Sequence, residues 1–441
     1  MWGARRTFAH SLDSRRSSRR GLGGVLRFRD GDDVNVANSW SDALIDVAHK
    51  VYAHVFFWGT GISLLRVAAP SANSEASTSG LRRYRYDVLR VLSAIAVLVF
   101  HFDVEGAAYF PARDFDGMTV NLFGSPALNA GSLAVGIFWL LSGALSAGTF
   151  RDESFSTIRY YKKRLHRLFV PFYLSWFLVC CLNMLRGQIF SGIPIGRILL
   201  TVVGFDGYIT RLIPHPPATF YLVGEWFFGA LVLITLFHPI LRRIYRTFGG
   251  KAIALLVVVD MLAYFLGIAS WSSPLNCLAL YSLGILFSLL REQGNAWRGG
   301  VFIVGLLLSV AAASPLCISF NNFGLAFPSL MSLSVGIFLM VDFMPFQFSS
   351  RVTKLSRALD QLKAPLTSLS GLTMYVFMFQ HVLVKCVLPA LPPSTFSDRS
   401  DYLFTVSIIT ALTFLVAFLA QGLEYSLREN LFNRHARRRP A

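Results

Sequence analysis

Residues 86–103 read YDVLRVLSAIAVLVFHFD, an apolar run broken by Arg90 near one end and His101 near the other. The run does not alternate, and its length matches a helix that crosses a bilayer. Ten residues separate Arg90 from His101. Eleven steps of roughly 100° close about three turns, which puts both side chains on one helix face, about 16 Å apart along the axis. Asp87 falls near the same stripe. Ionisable groups inside a bilayer are expensive and usually functional. Arg90 alone also reads as a side chain that snorkels to the interface, with His101 at the opposite interface. The shared face favours a functional reading of the pair.

The rest of the chain repeats the apolar pattern. Of 441 residues, 54% are hydrophobic and 15% charged, against about 25% charged in a soluble domain. Mean hydropathy is +0.53. Only helices and closed barrels satisfy their backbone within lipid, and long non-alternating runs are helical. The runs place spans near 88–104, 131–148, 168–185, 220–240, 252–270, 274–290, 300–320, 324–344, 367–389 and 403–423. The expected fold is an all-α polytopic membrane protein, a bundle of about ten transmembrane helices. Counted as a span, residues 197–205, RILLTVVGF, would throw the basic LRRIYR to the outside, so they read as a re-entrant or interfacial piece of the loop 186–219, whose prolines forbid a continuous helix.

The net charge of +17 sits mostly in short segments between the runs and at the two ends. RDESFSTIRYYKKRLHR, LRRIYRTFGGK, REQGNAWRGG, SSRVTKLSRALDQLK and RENLFNRHARRR follow the even-numbered spans. Loops after odd-numbered spans, such as NNFG and PPSTFSDRSD, are poor in Lys and Arg. The positive-inside rule then puts both termini in the cytoplasm. With no folded polar domain to carry it, the charge does not indicate a nucleic-acid partner; the expected partner is the bilayer. Residues 1–80 read as a basic, poorly ordered N-terminal extension, 81–425 as the membrane domain and 426–441 as a basic cytoplasmic tail. The five cysteines, Cys180, Cys181, Cys277, Cys317 and Cys386, have no CxxC spacing and read as small hydrophobes.

This topology gives the polar residues a depth. Glu225 begins the apolar part of a span running inwards, and His381 lies in the outer half of one running outwards. His101, Glu225 and His381 are therefore expected at similar depth toward the outer leaflet, a set suited to proton transfer. Structural hydrogen bonding between helices is the bland alternative for Glu225 and His381. Arg164 and Arg167, in RYYKKRLHRLFVP, abut an apolar run at the inner mouth, where they suit a phosphorylated ligand. Lys162 and Lys163 read as topology signals. The small residues of IFWLLSGALSAG suit close helix contact, with Ser142 as an alternative substrate contact. No metal site is expected.

These segments together resemble the acyltransferase-3 family of membrane O-acyltransferases, over roughly 81–425. The most specific element is a basic-X10-His motif, matched by Arg90 and His101. IFWLLSGAL is similar to the family's FF-x-x-SG segment at Phe138, Ser142 and Gly143, with Trp139 for the second Phe. KKRLHRLFVPFYL is similar to its R-x-x-R-x-x-x-P segment at Arg164, Arg167 and Pro171. FYLVGEWFF resembles the segment with the conserved Glu, at Glu225, although many members carry two Glu where this chain has Glu225-Trp226. GLTMYVFMFQHVLV resembles the late helix that ends in His, at His381.

The resemblance implies a bacterial inner-membrane enzyme that modifies lipopolysaccharide, exopolysaccharide or a similar carbohydrate acceptor. Its donor co-substrate is acetyl-CoA or another acyl-CoA. His101, Glu225 and His381 become the expected catalytic residues, and Arg90, Arg164 and Arg167 the donor-binding ones. Asp87, Ser142 and Tyr375 are expected to contact substrate. A neutral His101 is needed as base, so activity is expected to fall with acidification. Homo-oligomerisation is compatible with this reading. A proton-coupled transporter or flippase would use similar intramembrane groups, although the chain shows no internal repeat of the kind such folds carry.

Overall fold

In the computed structural model, residues 75–111, 129–187, 195–212, 223–291, 298–314, 326–344, 353–392 and 395–437 are described. Among them every regular element is helical. We number these α1 Glu75–Tyr109, α2 Ala130–Ser146, α3 Gly148–Arg151, α4 Thr157–Leu185, α5 Ile195–Val202, α6 Asp206–Leu212, α7 Glu225–Phe248, α8 Gly250–Phe265, α9 Pro274–Arg291, α10 Arg298–Ala312, α11 Ala326–Phe343, α12 Thr353–Val387 and α13 Arg399–Arg437. A helix overlaps each of the ten expected apolar runs. Among the described residues, six helices are long and apolar enough to cross a membrane: those over 130–151, 157–185, 226–248, 274–291, 361–390 and 399–429. Helices α10 and α11 are shorter apolar helices.

Helix ends differ from the hydropathy boundaries for local reasons. Asn129 caps α2, its side-chain oxygen accepting the Ser132 N–H at 2.7 Å. The run at 252–270 stops being helical at Phe265, because Gly267 takes φ +70° and the Gly267 and Ile268 N–H groups fold back onto Tyr264 and Ala263 carbonyls. Helix α1 begins at Glu75, ahead of residue 81, and α13 continues past residue 426 to Arg437. The 197–205 segment falls on the short helix α5 and the turn after it, and α6 follows from Asp206.

The core holds α1, α2, α7, α9, α11 and α12 together, with Trp139, Leu140, Ala230, Tyr281 and Phe338 buried in it. Helices α2 and α9 cross closely. A Cβ on Gly143 would overlap the Tyr281 carbonyl oxygen, and a Cβ on Gly284 would overlap that of Leu140. Backbone meets backbone there, as small residues permit between membrane helices. Large apolar side chains on α8, α10 and α13, such as Leu262, Leu307 and Phe418, stay exposed. That apolar exterior suits lipid.

The two ends of the bundle have different chemistry. At one end Arg85 of α1 donates to the carbonyls of Val341 and Met344 at the close of α11. Arg291, closing α9, pairs with Asp342 at 2.5 Å, and Tyr86 donates to the same carboxylate at 2.8 Å. Arg242 donates to the Thr149 carbonyl at 2.8 Å, and Arg151 to that of Leu289 at 3.4 Å. At the opposite end Tyr402, early in α13, donates to Asp103 of α1 at 2.5 Å. Helix α1 thus enters the bundle at the arginine-rich end and α13 starts at the other.

Candidate active site

At the Asp103 end, α1 and α12 run side by side and present matched pairs of residues one helical turn apart. His101 and Glu105 are four residues apart on α1, and His381 and Lys385 four apart on α12, a spacing that puts each pair on one face. The imidazoles of His101 and His381 stack with centroids 4.6 Å apart and planes 20° apart. Behind the stack, His381 Nε2 lies 2.7 Å from Glu105 Oε1, and Lys385 Nζ lies 3.4 Å from the same oxygen. The carboxylate is an acceptor only, so the His381 Nε2 proton points at it and the tautomer is fixed.

His101 also forms part of the wall of a cavity of about 270 Å³. Ligand pockets usually span roughly 300–1,000 Å³, so this one suits a small group. Trp226, Phe227 and Phe377 supply aromatic surface, Phe227 and Phe377 stacking at 4.9 Å. Gln380, one residue before His381, is 3% exposed and lines the cavity, and its side-chain oxygen has no hydrogen-bond partner among the described residues. The Trp271 indole N–H is likewise without a partner there. Buried polar groups in native folds are normally satisfied. Gln380 and Trp271 thus bring to the cavity wall an acceptor and a donor that are buried and unpaired among the described residues. Gly224, φ +78°, turns the chain into α7 at the cavity edge, where a Cβ would crowd Phe228 and Met378.

The sequence set {His101, Glu225, His381} meets at this end only in part by observation. His101 and His381 touch. Glu225 opens α7 between the lining residues Gly224 and Trp226, and its side chain lies outside the described residues. Glu105 is a residue the sequence reading missed. It sits in the acidic stretch beyond the apolar run, and its signal is the four-residue step from His101.

The remaining expected residues lie elsewhere. Asp87 is buried and accepts from Ser370 Oγ at 2.7 Å and Thr367 Oγ1 at 3.0 Å, both on α12, with Arg90 4.0 Å away. Arg164 donates to Ser142 Oγ at 3.1 Å. Arg167 is exposed. Arg90, Arg164 and Arg167 have different local surroundings and are not drawn into one cluster by any described contact. Tyr375, expected at the substrate, does not line the cavity; its hydroxyl donates to Glu424 of α13 at 2.5 Å. His238 of α7, also unnoticed in the sequence, is fully buried between Thr149 at 2.8 Å and Tyr281 at 2.7 Å, with Tyr160 stacked on its ring at 4.4 Å. A histidine within an apolar run was the available signal.

No curated protein and no solved structure matches the chain. A family model does, that of the acyltransferase-3 domain, described as an acyltransferase domain, and it spans residues 83–421. The match covers both histidines, Glu105, every lining residue of the cavity and every arginine of the sequence motifs, so the chain belongs to the acyltransferase-3 family and is a membrane acyltransferase.

Proposed function

We propose that this protein moves an acetyl group from cytoplasmic acetyl-CoA to a hydroxyl of a cell-surface or exported carbohydrate, in the inner membrane of a bacterium. The observation that carries the reading is His101 at the cavity wall, backed by His381 and Glu105. An imidazole held against a small polar cavity suits general base catalysis on a hydroxyl.

In this reading His101 takes the proton of the acceptor hydroxyl as its oxygen attacks the thioester carbonyl carbon. The carbon–sulfur bond breaks, and the leaving thiolate takes up the proton held by His101. Gln380 and Trp271 border the sugar in the cavity. Glu225 orients His101 or holds the sugar. His381 is a positioning residue, its ring packed on that of His101. The bundle crosses the membrane about ten times with both termini in the cytoplasm, and the gathering of Arg85, Arg151, Arg242 and Arg291 at one end supports that orientation. Donor phosphates then meet Arg90, Arg164 and Arg167 on the cytoplasmic side. His101 faces the arriving sugar on the other. The small cavity favours acetyl over longer acyl groups.

The test is mass spectrometry of surface glycans from cells with and without the protein, paired with transfer of label from acetyl-CoA in purified membranes. One acetyl mass gained on one polymer, with label incorporated, is the expected result. Unchanged glycans and no label transfer in wild-type membranes would end this proposal.

A further inference from the structure

Helix α6 and the turn Ser270–Ser272 form part of the cavity wall, and among the described lining side chains one carries a fixed charge. Arg211 of α6 lines the cavity and is exposed at its edge. No carboxylate is among the described lining side chains, and no described residue forms an ion pair with Arg211. Arginine at the end of the bundle opposite the basic loops runs against the usual charge bias of membrane proteins. A local reason for it is needed.

The placement of Arg211 is built. Tyr208, one turn earlier on α6, is 1% exposed, and its hydroxyl donates to the Ser272 carbonyl at 3.0 Å. Asp206, opening α6, forms a buried ion pair with Arg197 of α5 at 2.9 Å and also accepts from Thr201 at 3.0 Å. A buried ion pair is a poor source of net stability compared with apolar packing, and its attested use is to fix geometry. Here it fixes the short helix that carries Arg211.

We propose that Arg211 receives an anionic substituent of the acceptor sugar, a carboxylate or a phosphate, and makes the cavity selective for acidic over neutral glycans. The identification of the occupant as a sugar rests on the acyltransferase reading above. The planar, permanently charged guanidinium matches either anion through paired N–H donors. Trp226 and Trp271 line the same cavity and supply aromatic surface for the body of the sugar.

The test uses the full-length protein in lipid nanodiscs, wild type beside Arg211→Gln and Arg211→Lys, each checked for a single monodisperse species. Binding of three oligosaccharides of one backbone is measured by calorimetry: neutral hexose, the corresponding hexuronic acid and the corresponding hexose phosphate. Acetyl transfer to each is measured in parallel. Wild type is expected to bind an acidic form about tenfold tighter than the neutral one, the scale of one charge-assisted hydrogen bond. Arg211→Gln is expected to erase that ratio, and Arg211→Lys to keep most of it. The better of the two acids identifies the anion. Equal binding of acidic and neutral glycans by wild type, or a ratio unchanged in Arg211→Gln, overturns the proposal. Acidic preference without acetyl transfer would instead sink the proposed acetyl transfer and leave this one standing. Transfer without charge preference would do the reverse.

Discussion

His101 and His381 lie at opposite ends of the family domain in sequence, yet their rings stack at 4.6 Å and only His101 of the two lines the cavity. The asymmetry separates two roles that sequence alone assigns alike. His101→Ala is expected to lower acetyl transfer by about 10²–10⁴, the usual worth of a positioned base. His381→Ala is expected to lower it less, while His381→Phe, which retains a ring for stacking, recovers part of the loss. Steady-state rates in nanodiscs check this, and equal losses for His101→Ala and His381→Ala would refute the division.

Glu105 anchors His381 from behind through the 2.7 Å contact. Glu105→Gln keeps the shape and removes the charge. The expected effect is a fall in kcat of roughly 10–100-fold, equivalent to one hydrogen bond to a charged group, with KM for the acceptor unchanged. A rise in KM alone would show that Glu105 contacts the sugar.

The α2–α9 crossing predicts a steep size dependence. Gly143→Ala meets the Tyr281 carbonyl, so a loss of stability of about 1–3 kcal/mol or more is expected from overpacking. Gly148→Ala, five residues on, meets nothing within 4 Å and serves as the control. Thermal unfolding in detergent should lower the midpoint for the first and leave the second unchanged.

Asp206→Asn leaves the Arg197 guanidinium buried without its counter-charge. The expected cost is about 3–5 kcal/mol, read as a lowered unfolding midpoint. Arg197→Met together with Asp206→Leu removes both charges and is expected to restore most of it. A single substitution that left stability intact would mean water reaches the pair.

Tyr375→Phe tests an expected substrate contact that does not line the cavity. Losing the hydrogen bond to Glu424 is expected to lower stability by about 0.5–1.5 kcal/mol. Transfer kinetics are expected to stay within about twofold of wild type, since nothing made only in the transition state is lost. A tenfold fall in kcat/KM at unchanged stability would return Tyr375 to the substrate site.

Hydropathy and loop charge made depth legible in the sequence. They set His101 and His381 at one level, and the rings meet. They did not make legible which helix faces meet, because azimuth is decided by packing between distant segments. Glu105 and Arg211 were passed over for that reason, both lying in polar flanks where charge is unremarkable. His238 was passed over although its cost in an apolar run was visible. Helix ends were less legible, since hydropathy senses where lipid ends, whereas α1 and α13 stay helical through polar flanks.

The paired contacts between α1 and α12 have a mechanical consequence. Asp87 takes two hydroxyls of α12 at one level, and Glu105 takes His381 at another, near the far end of the same two helices. Two bonded levels along a shared seam oppose sliding and scissoring of the two helices that carry the histidines. The rest of the cavity wall comes from other elements, among them α6, the Ser270–Ser272 turn and the start of α7.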